Sequence, residues 1–439
     1  MSELACQGCG AALAADSPEI YRCPNAGRDA GDHVVGRTLD AGRLRLPLEG
    51  PVNPFERYRA FTHAYSLALS RGMTDDEFVA LVRRLDDAVR AVDGHGFAVT
   101  PFLRSAGLSD ALLLQLPGGV WVKDETRNVS GSHKGRHLMG LAILGEVQAR
   151  LGILPARGTR LAIASCGNAA LAAAVIARAW KRPLDVFIPE DANARVVAQL
   201  EEHGATVHVC VRQEGVAGDP CYHAFREAVT GGAVPFCCQG SDHGLTVEGG
   251  ETLGWELVSD LLAHGRTLDR LFVQVGGGAL ASACVQAFRD ATRVGAAIRM
   301  PKLHAVQTDG AHPLHRAWAR VKARADSTSV EEALAYAAQH RAEFMCAWET
   351  APKSVAHGIL DDETYDWLAI VRGMLESGGY PILVSEERLI EANALGRAQT
   401  GIDVDPTGSS GLAGVLELSA AGALRPGESI GVLFTGVRR

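Results

Sequence analysis

The chain is poor in cysteine and proline, has no long apolar run and carries no excess of positive charge, and each shortage excludes a class of protein. Ten cysteines among 439 residues are too sparse for a disulfide framework. Most are expected to be thiols packed as small core residues, Cys210, Cys237, Cys238, Cys284 and Cys346 among them. Eighteen prolines, with 47% hydrophobic and 21% charged residues, rule out a disordered, collagen-like or coiled-coil chain. No stretch approaches the roughly 18 apolar residues of a membrane-spanning helix; the run 161–180 is broken by Cys166-Gly167-Asn168 and Arg178. Lys and Arg number 43 against 51 Asp and Glu, a net charge of −8, which leaves no basic footprint for nucleic acid or anionic lipid. The chain start lacks a basic region followed by an apolar run, so a cytoplasmic protein is expected.

What remains is a chain long enough for two or three packed domains. Residues 1–36, with Cys6, Cys9 and Cys23 in a Gly/Ala-rich context followed by Asp29, Asp32 and His33, read as a small appendage. From 53 to 92, apolar residues recur at three- and four-residue steps (Phe78, Leu81, Val82, Leu85, Val89), the mark of amphipathic helix. From 119 onward short β-rich runs alternate with helical patterns. Strands are expected at 119–124, 160–164, 184–188, 205–210, 234–237, 270–275, 302–306, 381–384 and 429–434. Helices are expected at 134–150, 168–180, 192–203, 243–264 and 279–291. This is an α/β chain of βαβ units with a parallel sheet covered on both faces, and ligands of such sheets bind beyond the carboxyl ends of the strands.

Three loops at such strand ends carry chemistry. After the first, Asn128-Val129-Ser130-Gly131-Ser132-His133-Lys134 places a lysine at a helix start, where the backbone is already partly positive. A bound anion or covalent neutralisation of the amine would compensate; a solvated first-turn lysine is the alternative. After 160–164, Ser165-Cys166-Gly167-Asn168-Ala169 leads into an alanine-rich helix and offers free backbone N–H groups for a carboxylate or phosphate, with Asn168 as a ligand amide or as a helix cap. After 270–275, Gly276-Gly277-Gly278 opens another helix, a phosphate cradle or a tight turn. A dinucleotide fingerprint there is disfavoured, because Ala296 and Ala297 stand where an acid should hold the ribose.

Taken in order from about residue 99 to 439, these elements resemble the fold-type II enzymes that use pyridoxal 5′-phosphate, and within them the threonine synthase group. The resemblance extends to Thr100-Pro101-Phe102-Leu103, to Glu248-Gly249-Gly250-Glu251-Thr252, to Pro352 through Ile359, to Asp405-Pro406-Thr407-Gly408 and to Leu433-Phe434-Thr435-Gly436. It implies two open, twisted, mostly parallel sheets flanked by helices, with the cofactor in a cleft between a large domain (37–130 and 231–439) and a small one (131–230). By that resemblance Lys134 carries the cofactor as a Schiff base and Asn168 contacts its 3′-oxygen. Ser165, Cys166, Gly167 and Ala169 receive the substrate carboxylate, and Gly276, Gly277 and Gly278 hold the cofactor phosphate. Thr435 faces the pyridine nitrogen, with Ser409 and Ser410 as competitors.

The implied activity is elimination or replacement on the side chain of an α-amino acid by a homodimer. The alternatives are a serine/threonine dehydratase and a non-catalytic relative that binds an amino acid or phosphate. Some positions depart from the group. A histidine before the lysine, His133, resembles the tryptophan synthase β-type loop, where it helps bind phosphate, and the lysine is followed by Gly135-Arg136. Gly250-Glu251 replaces a Gln-Lys pair and argues against a phosphorylated substrate. Glu248 is a candidate acid/base or a helix cap, while His243, His312 and His357 read as structural. Cys6, Cys9 and Cys23 resemble a CxxC…CxxC zinc ribbon whose last position is Ala26; a fourth ligand from Asp29, Asp32 or His33 would be needed, and a metal-free loop is expected.

Overall fold

A computed structural model of the chain describes residues 3–155, 158–212, 219–350 and 352–439. Runs rich in β-branched and aromatic residues form the strands, and where helices cover both faces the central strands are buried, as in Leu184–Pro189 and Arg270–Gln274, while the edge strand Thr206–Cys210 is largely exposed. Three sheets result. The largest has six strands in the order Ile382–Val384, Lys302–Thr308, Arg270–Gln274, Ser429–Phe434, Gly119–Asp124 and Phe102–Ser105. All neighbours run parallel except the last pair. A four-stranded parallel sheet follows the order Thr206–Cys210, Leu184–Pro189, Leu161–Ala164, Val234–Pro235. The third sheet, antiparallel, joins Ala12–Leu13, Glu3–Cys6 and Val35–Thr38.

All the expected strands form, most within a residue or two of the expected bounds, and the helices Lys134–Arg150 and Asn168–Trp180 coincide with expectation. The N-terminal sheet and the edge strand Phe102–Ser105 are additional. Both are short and half exposed, so no buried apolar run announces them. The helix Asp75–Asp93 shows how local sequence sets its own limits. Thr74 and Glu77 form a reciprocal capping box, Phe78, Leu81, Val82, Leu85 and Val89 line the buried stripe, and Gly94 ends the helix in the left-handed region at φ 87°. Among the described residues no helix is long and apolar enough to cross a membrane.

Strand order decides where function can sit. Ser429–Phe434 lies between Gly119–Asp124 and Arg270–Gln274, with Phe434 paired to Asp124. The residues after these three strands, leading to Lys134, Thr435 and Gly276, therefore emerge side by side.

Beneath that edge lies a buried charge network. Arg136 donates from Nε to Glu125 Oε2 at 2.8 Å, from Nη1 to Glu256 Oε1 at 2.6 Å and to Thr252 Oγ1 at 3.0 Å, and from Nη2 to Thr100 Oγ1 at 3.2 Å. Lys123 Nζ pairs with Glu256 and donates to Thr100 O at 2.8 Å. Two cations face two carboxylates within hydrogen-bonding reach, the condition under which buried charge is tolerated. Burial opposes ionisation of Glu256, yet Arg136 and Lys123 hold its carboxyl below the ordinary range. Arg136→Met would leave two buried carboxylates sharing one cation. It is expected to cost about 3–5 kcal/mol of stability, read as a lower urea midpoint with an unchanged slope.

Candidate active site

Lys134 is the first residue of the helix Lys134–Arg150, and no side chain caps that helix start. The approach to it is rigid. Asn128 Oδ1 accepts from Val129 N at 2.8 Å while its Nδ2 donates to Glu125 at 2.6 Å, Ser130 sits at φ 55°, and Ser132 pairs with Gly436. His133 N donates to Thr435 O at 3.0 Å and its imidazole bonds the same carbonyl at 3.2 Å. Burial, reinforced by the adjacent Lys134, keeps this imidazole neutral by pushing its pKa well below the ordinary value. The ring is thereby anchored through Nδ1 to the Thr435 carbonyl. Gly135 is required because a Cβ there would meet Val129 O at 3.0 Å and the Phe97 ring at 3.3 Å, and Arg136 points into the buried network. The departures beside the lysine therefore reflect interior packing. The neighbouring lysine, Lys123, is 1% exposed and bound to Glu256.

Across the cleft, Gly167 precedes the helix Asn168–Trp180, so Asn168 is the first helical residue and not its cap. Its Oδ1 accepts from Arg439 Nε at 3.1 Å, and its side chain bonds the buried carboxylate of Asp405. A Cβ on Gly436 would lie 2.8 Å from Asn168 Nδ2, so a glycine in the closing segment lets the two loops meet. Ser165 Oγ accepts from Gly167 N at 3.4 Å, Cys166 is exposed, and a Cβ on Gly167 would meet nothing within 4 Å. The Ser165–Ala169 backbone thus borders open space. Although its side chain reaches solvent, the protein crowded around the Cys166 thiol partly desolvates it and raises its pKa, and the carboxylates of Asp191, Asp219 and Asp361 act in the same direction.

The third loop is held to glycine at each position. A Cβ on Gly276 would lie 2.3 Å from Asp361 Oδ2, one on Gly277 2.9 Å from the Tyr365 ring, and one on Gly278 2.7 Å from Ile370. Gly278, at φ 100°, starts the helix Ala279–Arg293 without a side-chain cap, so the first-turn amides are not taken by a cap. Thr435 is buried, and its Oγ1 accepts from Gln274 Nε2 at 2.7 Å. The same amide is fixed by Gly408 O and Leu433 O, leaving the Thr435 hydroxyl hydrogen to donate to an acceptor in the cleft. Ser409 and Ser410 instead donate back to Asp405 O and Pro406 O within their own helix. The arrangement fits pyridoxal phosphate: a lysine, a hydroxyl donor, an amide and an uncapped glycine-rich helix start lie on neighbouring loops, and Ser132 Oγ is buried with no hydrogen-bond partner among the described residues.

Several candidates fall outside the cleft. Glu248 and Glu251 both pair with Arg37, which also meets Asp290 at 2.9 Å, in a buried cluster against the N-terminal sheet. Burial raises the Glu248 pKa to about 7 with Arg37 opposing. Gly250 is required because a Cβ would lie 2.1 Å from the His137 ring. Glu251 is therefore neutralised in the core and does not count against a phosphorylated substrate. His243 packs against Tyr21 and His312 against Trp348.

The N-terminal ligand set differs from expectation. The metal-free reading rested on Ala26, but the loop folds back to bring in His33, and the ligand atoms of Cys6, Cys9, Cys23 and His33 all lie within 4.8 Å of one another. Cys9 Sγ and Cys23 Sγ are 3.6 Å apart, close to the roughly 3.8 Å edge of a zinc–thiolate tetrahedron. The far nitrogen of His33 meets Asp29 at 2.8 Å, and backbone N–H groups of Cys9 and Asn25 point at sulfur. Sequence spacing offered His33 beside Asp29 and Asp32 without choosing among them, because all three lie beyond the usual partner position. This set can hold one zinc ion. Elemental analysis of the purified chain is expected to find about one zinc per chain, lost in His33→Ala; a metal-free wild type would contradict the assignment.

The sequence profile described as pyridoxal-phosphate dependent enzyme matches residues 95–436. Threonine synthase of Methanocaldococcus jannaschii is 26% identical over 340 residues, 77% of this chain and 74% of that protein. A serine dehydratase-like protein of Rattus norvegicus is 32% identical over 255 residues, 56% of this chain and 68% of its own length. Among solved structures, a fungal L-serine ammonia-lyase from Rhizomucor miehei superposes with a TM-score of 0.58 at 19% identity, covering 78% of this chain and 94% of that one. The chain belongs to the pyridoxal-phosphate dependent enzyme family.

Proposed function

We propose that the chain catalyses elimination or replacement at the side chain of an α-amino acid, in the manner of threonine synthase, with Lys134 as the attachment point of its cofactor. The observation that carries this reading is the convergence of Lys134, Asn168 and Thr435, from separate parts of the chain, through the Ser132–Gly436 pairing, the His133–Thr435 hydrogen bond and the contact of Gly436 with Asn168. When bound, the cofactor draws electrons from the amino acid's α-carbon and so permits loss of a proton there and of a leaving group beyond it.

The residues divide the work. The Lys134 amine, held at the cleft edge by its helix start, would take the proton at the α-carbon. The amides of the Ser165–Ala169 loop would receive the substrate carboxylate, and those of Gly276–Gly278 the cofactor phosphate. Thr435, fixed as a donor by Gln274, would hydrogen-bond the ring nitrogen. A hydroxyl there leaves the ring a weaker electron sink than a carboxylate would, which favours side-chain chemistry over transamination. A second reading, dehydration of serine or threonine to a keto acid, draws support from the serine dehydratase-like relatives. Free cysteines throughout the described residues support a cytoplasmic setting, and exposed Leu103, Leu113 and Leu116 near the edge strand support a homodimer.

Borohydride reduction of the cofactor-loaded protein followed by peptide mapping is expected to place the pyridoxyl group on Lys134; finding it on Lys123 or Lys181 would sink the assignment. Incubation with serine, threonine and O-phosphohomoserine separates the two activities. Phosphate release with threonine formation supports the synthase reading, keto acid with ammonia supports the dehydratase, and the absence of turnover on all three would count against both.

A further inference from the structure

The segment from Ile359 to Asp366 lies against the triple-glycine loop and hydrogen-bonds to its backbone. Thr364 Oγ1 donates to Gly276 O at 2.9 Å, and Asp366 N donates to Gly277 O at 3.1 Å. Over the same loop stands the Asp361 carboxylate: its Oδ2 would be 2.3 Å from a Cβ on Gly276 and its carboxyl carbon 3.8 Å from one on Gly277. Asp361 also lies within electrostatic reach of Lys134 and Cys166, one residue from each of the other two loops. The segment is also held from its middle and from just past its C-terminal end. Glu363 pairs with Arg341, and Trp367 Nε1 donates to Asp32 at 3.2 Å, next to the N-terminal ligand set.

An anionic side chain thus lies over the same loop that would receive the cofactor phosphate. Carboxylate and phosphate cannot both occupy the space over the Gly276–Gly277 backbone, and two anions at that separation repel strongly in a partly buried site. Thr364, Asp366 and Trp367 fix the backbone around the segment, so relief comes from rotation of the Asp361 side chain. We propose that Asp361 is a built-in competitor for the phosphate cradle: cofactor binding displaces its carboxylate from Gly277, and the chain holds pyridoxal phosphate less tightly than the glycine loop alone would. This rests on the reading of Gly276–Gly278 as the phosphate site.

The test compares cofactor retention in wild type, Asp361→Asn and Asp361→Ala, by the dissociation constant from absorbance titration and by the rate of loss during dialysis. Pyridoxal, which lacks the phosphate, is the paired probe. Removing a charged competitor is expected to tighten pyridoxal phosphate binding about tenfold in Asp361→Ala and less in the isosteric Asp361→Asn. Pyridoxal affinity should stay constant across the three proteins. Unchanged or weaker pyridoxal phosphate binding in both variants would overturn the proposal, as would equal gains for the two probes, which would place Asp361 against another part of the ligand. Gly277→Val, measured alongside, isolates the underlying reading. If it binds cofactor as wild type does, the cradle itself is misplaced and the competitor falls with it; if it loses cofactor while the Asp361 variants do not gain, only the competitor fails.

Discussion

The buried ion network around Arg136 is the constraint on which the site depends. It joins the Thr100 segment, the strand carrying Lys123 with Glu125 just beyond it, the helix carrying Lys134 and the helix carrying Glu256, four pieces distant in sequence. Because removal of either sign strands a buried charge, none of these pieces can shift alone. Arg136 lies two residues after Lys134, so the helix start that presents the lysine is clamped from below. A site that must hold a reactive amine in place thereby gains rigidity from groups that never touch a ligand.

The second constraint is strand order. Parallel strands point all their carboxyl ends the same way, and placing Ser429–Phe434 between Gly119–Asp124 and Arg270–Gln274 sets Thr435 between the lysine approach and the glycine loop. The asparagine loop belongs to the other parallel sheet and reaches this edge through Gly436, where the lack of a side chain permits contact with Asn168. The closing strand thus serves two ends at once: it completes the large sheet and links the loops of both.

Much of this was legible in the sequence. The loops around Lys134, Asn168 and Gly276–Gly278 combine small residues with an immediate helix start, a pattern that backbone–ligand contact imposes locally. What was not legible depends on partners far along the chain. Glu251 read as a charge near the site because nothing in its own segment points to Arg37. The anchor of His133 was hidden because the carbonyl that holds it belongs to Thr435. Asp361 carried no signal, since its meaning comes from lying on a glycine loop far earlier in the chain, and His33 joins three cysteines only once the N-terminal loop folds back.

The central claim is that the ends of three strands in one sheet and one loop of another form a single cofactor site. A crystal structure of the chain grown with pyridoxal 5′-phosphate tests it most directly. The account predicts density continuous with Lys134 Nζ, the ring nitrogen at Thr435 Oγ1, the phosphate on the Gly276–Gly278 amides and an unaltered Arg136 network. Cofactor bound through a different lysine, or with its phosphate away from the glycine loop, would contradict it.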